Sequence, residues 1–305
     1  MNPALTCYPW QLPLMQAFQQ AIALNRLPHA ILLHGTKGLG KGHFASLMAQ
    51  TILCEQAIAC NLCRSCQWFQ AGTHPDFQRL QPEEVGKAIK IDAVREVLVW
   101  LSLSAERAKV LILAPAQQLN KASSNALLKS LEEPNANTTL ILIAEQPASV
   151  LATLRSRCQL WPMPMPSLAQ SQAWLMDQGI SDEGYLPHSG PLAWVEQVKT
   201  GALAGQQVFD QALRDFLSRH LPLAKFSKEI QKLPILVALN SLLSYWQSAF
   251  AQALTQRDCA SAQTYSQQLT YLLDLKRLHE QGANLNWPLQ WDAFLCRIRG
   301  MPTCN

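Results

Sequence analysis

An apolar run, Ala30-Ile31-Leu32-Leu33-His34, ends abruptly in Gly35-Thr36-Lys37-Gly38-Leu39-Gly40-Lys41-Gly42. Few folds accommodate this junction. A buried strand must feed a glycine-rich turn, and the turn must open into a helix, because His43 to Leu53 sets Phe44, Leu47, Met48 and Ile52 at helical spacing. The turn matches the phosphate-loop pattern except at Gly42, where Ser or Thr is usual. Gly35, Gly38 and Gly40 would let backbone N–H groups face phosphate, with the helix N-terminus adding partial positive charge and Lys41 reaching the outer phosphates. The hydroxyl that normally holds magnesium is missing at position 42. An acidic pair should end the next buried strand, Lys109–Leu113, yet the chain continues Ala114-Pro115-Ala116. Phosphoryl transfer depends on positioning and on charge compensation by metal. A loop without these groups predicts no hydrolysis. It is either a vestigial turn or a weak nucleotide holder. Glu145 follows a different strand and reads as a solvated loop residue.

The first 160 residues alternate strand and helix patterns. Strands are predicted at Ala30–His34, Lys109–Leu113 and Thr138–Ile143. Asp92 is placed as the cap of a helix carrying Val94, Val97, Leu98 and Leu101, and a later helix stops near Glu133 before Pro134. This alternation predicts an α/β domain with a parallel sheet covered on both faces. Trp161-Pro162-Met163-Pro164-Met165-Pro166 forbids helix and favours an extended linker, so a domain boundary is placed there. Beyond it no strand pattern returns. Ser167–Met176 and Pro191–Val198 read as short helices, and from about Val208 the chain reads as wholly helical.

With 49% hydrophobic and 15% charged residues in 305, the chain can bury more than one core, which excludes disorder. A net charge of +4 permits a nucleic-acid neighbour without requiring one. No apolar run spans a bilayer, and Met1–Leu5 lacks the start of a signal peptide, so a cytoplasmic location is expected. In that setting clustered cysteines point to metal before disulfides. Cys54, Cys60, Cys63 and Cys66 fall in one short segment as C-x5-C-x2-C-x2-C. Four thiolates can enclose a tetrahedral zinc with no open position, so the expected role is structural. A redox C-x-x-C pair or unconnected cysteines are the alternatives. Cys7, Cys259, Cys296 and Cys304 are scattered and read as inert.

Leu154-Arg155-Ser156-Arg157-Cys158 closes the α/β region. Such arginines are most simply solvated or paired with surface acids. In ring-shaped ATPases, however, an arginine here can point at a neighbour's γ-phosphate, where a trans arginine is worth roughly 10³–10⁵ in rate.

Together with these motifs, His29–Leu33, Gly72-Thr73-His74-Pro75-Asp76, Ile91–Glu96 and Asn125–Pro134 occur in an order that resembles the delta-prime family of bacterial DNA polymerase III clamp-loader subunits. The matching stretches cover most of residues 26–160, and Leu289–Arg299 matches more weakly. The resemblance implies an AAA+ P-loop domain at 1–162 with a zinc module inserted at about 54–66, a small helical lid domain at 163–206 and an all-α collar domain at 207–305. It implies a hetero-pentameric ring with gamma or tau and delta subunits that opens the sliding clamp and loads it onto primed DNA. Within that ring this family acts as a stator without hydrolysing ATP. Arg157 would complete the ATP site of an adjacent gamma or tau subunit, and Cys54, Cys60, Cys63 and Cys66 would hold zinc. The lid arginine of active relatives has no counterpart in Ser189-Gly190-Pro191-Leu192. Lys41 is retained where many family members lost it, which keeps weak nucleotide binding open. An active gamma- or tau-type ATPase is the main rival, and it needs a hydroxyl at 42 and acids near 113–116. A zinc-dependent DNA-binding protein should show a basic, aromatic surface near the cysteines, where only Arg64, Trp68 and Phe69 stand.

Overall fold

The computed structural model describes residues 6–299 except 85, 106, 183, 184, 186–188, 201, 281 and 282, so Met1–Leu5 and Cys304 lie outside the described residues. The chain divides into two compact units, Met1–Glu196 and Gln197–Asn305.

The first unit runs α1 (Leu12–Ala23), β1 (Ala30–His34), α2 (Lys41–Leu53), α3 (Arg64–Ala71), β2 (Phe77–Leu80), α4 (Ile91–Ser102), β3 (Lys109–Leu113), α5 (Lys121–Glu132), β4 (Thr138–Ala144), α6 (Ala152–Arg155), β5 (Gln159–Pro162), α7 (Leu168–Asp177) and α8 (Pro191–Lys199), whose last turn crosses the division. The five strands form one parallel sheet in the order β2-β3-β4-β1-β5. Residues along a strand point alternately to opposite faces, so a strand buried on both sides reads as a continuous apolar run. Ile31, Leu33, Val110, Ile112, Ile141 and Ile143 pack with Phe18 of α1 and Phe44 and Met48 of α2. Leu32, Leu111, Leu113, Leu140 and Leu142 face the other way, onto Val94 and Val97 of α4 and Leu127 and Leu131 of α5.

Four details differ from the sequence expectations. β2 is an edge strand whose central Gln78 and Arg79 gave no apolar run. β5 is the opposite edge and takes in Trp161 and Pro162, so the extended segment outside the sheet begins two residues later, at Met163; proline is tolerated where only one neighbour needs hydrogen bonds. Asp92 lies inside the first turn of α4 and pairs with Arg95, while Lys90 holds the cap position. The segment after 162 is not a separate compact unit: the Met163 N–H donates to the His34 carbonyl at 2.7 Å, and Trp174 of α7 packs edge-on against Tyr8 and Trp10.

The second unit is helical throughout its described residues: α9 (Ala202–Leu217), α10 (Leu223–Gln231), α11 (Ile235–Thr255), α12 (Cys259–Glu280) and α13 (Trp287–Arg299). Its core gathers Leu213, Phe216, Phe226, Leu242, Trp246, Leu272, Trp291 and Phe294. The position 206/207, where the sequence places the start of the third domain, falls inside α9, and the two compact units divide at 196/197. No helix among the described residues is long and apolar enough to cross a membrane.

Candidate functional site

The phosphate-loop motif sits at the C-terminal end of β1, where parallel α/β sheets place their ligand crevice. Gly38 and Gly40 adopt φ of 83° and 78°, left-handed values that favour glycine. Gly40 thereby turns the chain into α2, whose first residue is Lys41. The Lys41 ammonium does not project out of the loop. It donates to the carbonyls of Gly35 at 2.6 Å and Thr36 at 2.7 Å, and the residue is only 9% exposed. Burial lowers its pKa, and the Glu145 carboxylate pulls it partly back. Burial and the Lys41 charge together lower that of His34.

The mouth of the loop is closed by the chain itself. The Gly190 N–H donates to the Lys37 carbonyl at 2.8 Å, and the Leu192 N–H to the Gly38 carbonyl at 3.1 Å. The approach is so close that a methyl group on Gly190 would lie 2.3 Å from the Gly38 carbonyl carbon and oxygen. One on Gly38 would lie 2.5 Å from the Ala193 Cβ. On the other flank, Trp10 Nε1 and Gln11 Nε2 each donate to the Leu39 carbonyl at 2.9 Å, and Gln11 is fully buried. Tyr8 stacks on Trp10 beside them. The Lys41 ammonium and the carbonyls of Gly35, Thr36, Lys37, Gly38 and Leu39 are therefore engaged by the chain itself.

A side chain at Gly42, by contrast, would meet no atom within 4 Å, so packing does not exclude the missing hydroxyl. Arg79 of β2 reaches this turn, donating to Ser46 Oγ at 2.6 Å and leaning on the Gly42 carbonyl at 3.5 Å. A cation beside this turn is unsuited to holding a second, metal cation there. β3 runs into Ala114 and Pro115 without a carboxylate.

The four predicted cysteines come together. Cys54 follows α2, Cys60 lies in the loop, Cys63 caps α3 and Cys66 is in its first turn. Their sulfurs all lie within 4.8 Å of one another. A tetrahedral zinc with Zn–S bonds near 2.3 Å needs about 3.8 Å between sulfurs, so the set fits with slight contraction. Backbone N–H groups of Cys60, Cys63 and Cys66 point at the sulfurs of Cys54, Cys60 and Cys63, each at 3.4 Å. Burial opposes ionisation of Cys54, but N–H groups of Cys60, Ile58 and Gln56 outweigh it and bring the thiol down to about 6. Cys66 is raised, first by burial and then by its sulfur neighbours. Thiols this close cannot all ionise without a cation between them. Ala57, Ala59 and Asn61 take left-handed conformations in the connecting loop, which persist only where the surroundings impose them. The cluster can therefore hold one metal ion.

The two arginines after α6 separate. Arg155 turns inward and donates to the Pro147 carbonyl at 3.2 Å. Arg157 lies at the surface, with Nε donating to Glu132 Oε1 at 2.8 Å and one terminal nitrogen to the Thr153 carbonyl at 2.8 Å. Around these sites Gly190, Gln11, Arg79 and Glu132 escaped the sequence expectations. Gly190 was visible only in the segment that lacks the lid arginine, and nothing local linked the other three to their partners.

The family profile described as "DNA polymerase III, delta subunit" matches residues 10–167. The chain is 42% identical over 173 residues to the Pseudomonas aeruginosa protein named "DNA polymerase III subunit delta'", a match covering 55% of this chain and 52% of that one. It is 33% identical over 226 residues to the Haemophilus influenzae protein of the same name, covering 71% of this chain and 69% of the relative. The chain thus spans about half the length of the first of these relatives and about two thirds of the second. Among solved structures, the "gamma subunit-related protein" of DNA polymerase III from Thermotoga maritima superposes with a TM-score of 0.51 at 18% identity, over 92% of this chain and 98% of that one. At that identity the likeness shows the fold alone, a parallel α/β domain followed by a helical region.

Proposed function

The chain belongs to the DNA polymerase III delta-prime family, and from that membership we propose that it serves the clamp loader as a stator that binds no nucleotide productively and hydrolyses none. The observation that carries this proposal is the self-filled loop. Lys41, the group that should meet the outer phosphates, is bonded to Gly35 and Thr36, and Gly190 closes the mouth. A phosphate would have to break the two Lys41 bonds to reach its ammonium. Even then no hydroxyl at 42 and no acid after β3 would hold magnesium, so charge compensation in phosphoryl transfer would be missing. The same features disfavour the active gamma- or tau-type alternative.

In this proposal Arg157 acts for a neighbour, its surface guanidinium completing the ATP site of an adjacent gamma or tau subunit. Cys54, Cys60, Cys63 and Cys66 hold zinc, which fixes the insert between α2 and α3. The segment through α8 serves as the lid and α9 onward as the collar of a pentameric ring with gamma or tau and delta subunits. That ring would place the sliding clamp on primed DNA in the cytoplasm.

The test is to assemble the ring with gamma or tau and delta and measure its DNA-stimulated ATPase. The isolated chain should stay at background. Arg157→Ala in the ring should lower turnover at the one site it serves by up to about 10³-fold. Turnover by the isolated chain, or a ring indifferent to Arg157→Ala, would refute the corresponding part.

A further inference from the structure

We propose that Glu132 is the positioning residue for Arg157, holding its guanidinium as a preset fork for a partner's phosphate. This rests on the trans role given to Arg157 above. Both Nε and a terminal nitrogen of Arg157 engage Glu132 Oε1. The other terminal nitrogen donates to the Thr153 carbonyl at 2.8 Å and leans toward Ser156 Oγ at 3.4 Å. All three guanidinium nitrogens are thus held on two elements, while the side chain stays 35% exposed and its five N–H donors outnumber these partners.

Both anchors are rigid. Glu132 is the last residue of α5, next to Leu131, which is buried in the core and whose carbonyl is bonded to the His29 ring at 3.0 Å. Thr153 belongs to α6, pinned by fully buried Leu154. A carboxylate at the end of a helix faces the negative pole of the helix dipole, so helix stability does not favour an acid at 132. Its contact with Arg157 gives that acid a role. A free arginine side chain samples many rotamers, and fixing it in advance removes that entropy loss from the encounter with phosphate. The accompanying loss of charge is small, because a half-exposed pair in water attracts weakly and yields to a phosphate.

The fork matters when charge develops on the transferring phosphoryl group, so the effect belongs in kcat rather than KM. In the assembled ring, Glu132→Ala should lower kcat by about two- to fivefold, the span set by a half-exposed ion pair, with KM for ATP unchanged. Glu132→Gln keeps an acceptor oxygen and should recover most of the rate. If Arg157→Ala slows the ring while Glu132→Ala runs at or above the normal rate, Glu132 does not position the arginine. A rise in KM alone, or no recovery by Gln, has the same meaning. If Arg157→Ala itself is without effect, the trans role fails and this proposal fails with it. Glu132 lies at the surface, so a matching unfolding midpoint of each variant confirms that the fold is intact.

Discussion

Substituting Gly190 by alanine puts the closure of the loop to a direct test. The added methyl would stand 2.3 Å from the carbonyl carbon and oxygen of Gly38 and 2.6 Å from the Leu39 nitrogen. All three are backbone atoms, so no rotamer change relieves the clash. Carbon atoms settle at about 3.5–4.0 Å, so the two segments must part by more than an ångström. The bonds from Gly190 to Lys37 and from Leu192 to Gly38, now 2.8 and 3.1 Å, then fall outside hydrogen-bond range. Two lost bonds at about 0.5–1.5 kcal/mol each, with some overpacking strain, give about 2–4 kcal/mol of destabilisation. Urea unfolding followed by tryptophan fluorescence should register this as a lower midpoint at unchanged slope, with Trp10 and Trp174 reporting from beside the loop. Gly42→Ser is the matched control. A Cβ added there would meet no atom within 4 Å, so its effect should stay within about 0.5 kcal/mol. A Gly190→Ala shift as small as the control's would mean that the turn does not seal the loop.

The purified chain should carry about one zinc ion, and a strong chelator should add four thiols to those that react with a disulfide reagent; a metal-free chain whose four cysteines stay protected would contradict this. Burial raises the Cys158 thiol to about 11, so alkylation at pH 8 should label the exposed Cys259 and Cys296 well before it. Above the ordinary thiol value near 9.0 the unfolded chain ionises at Cys158 while the folded chain does not, so this group's contribution to stability should be intact below that pH and lost as pH rises toward 11. Mass-mapped labelling rates and unfolding midpoints between pH 8 and 11 check both statements.

The sequence alone determined the sheet's central strands, because a strand buried on both faces must be apolar throughout, as Leu111–Leu113 and Leu140–Ile143 are. It also determined the glycine turn, the missing metal groups and the cysteine set, since each is a matter of residue type at short spacing. The edge strands β2 and β5 were not legible, because a strand paired on one side carries mixed residues such as Gln78 and Arg79. Nor was the joining of the segment after 162 to the first unit, which shows in contacts such as Met163 with His34. Tertiary structure alone brought Gly190 onto Gly38, Gln11 under Leu39 and Glu132 beside Arg157. These pairs are 152, 28 and 25 residues apart, and no local pattern encodes contacts at such distances. The glycines of the turn supply the flexibility to cradle a phosphate or to admit another backbone. Chemical type left that choice open, and packing decided it: the same absence of Cβ atoms lets the chain close its own loop.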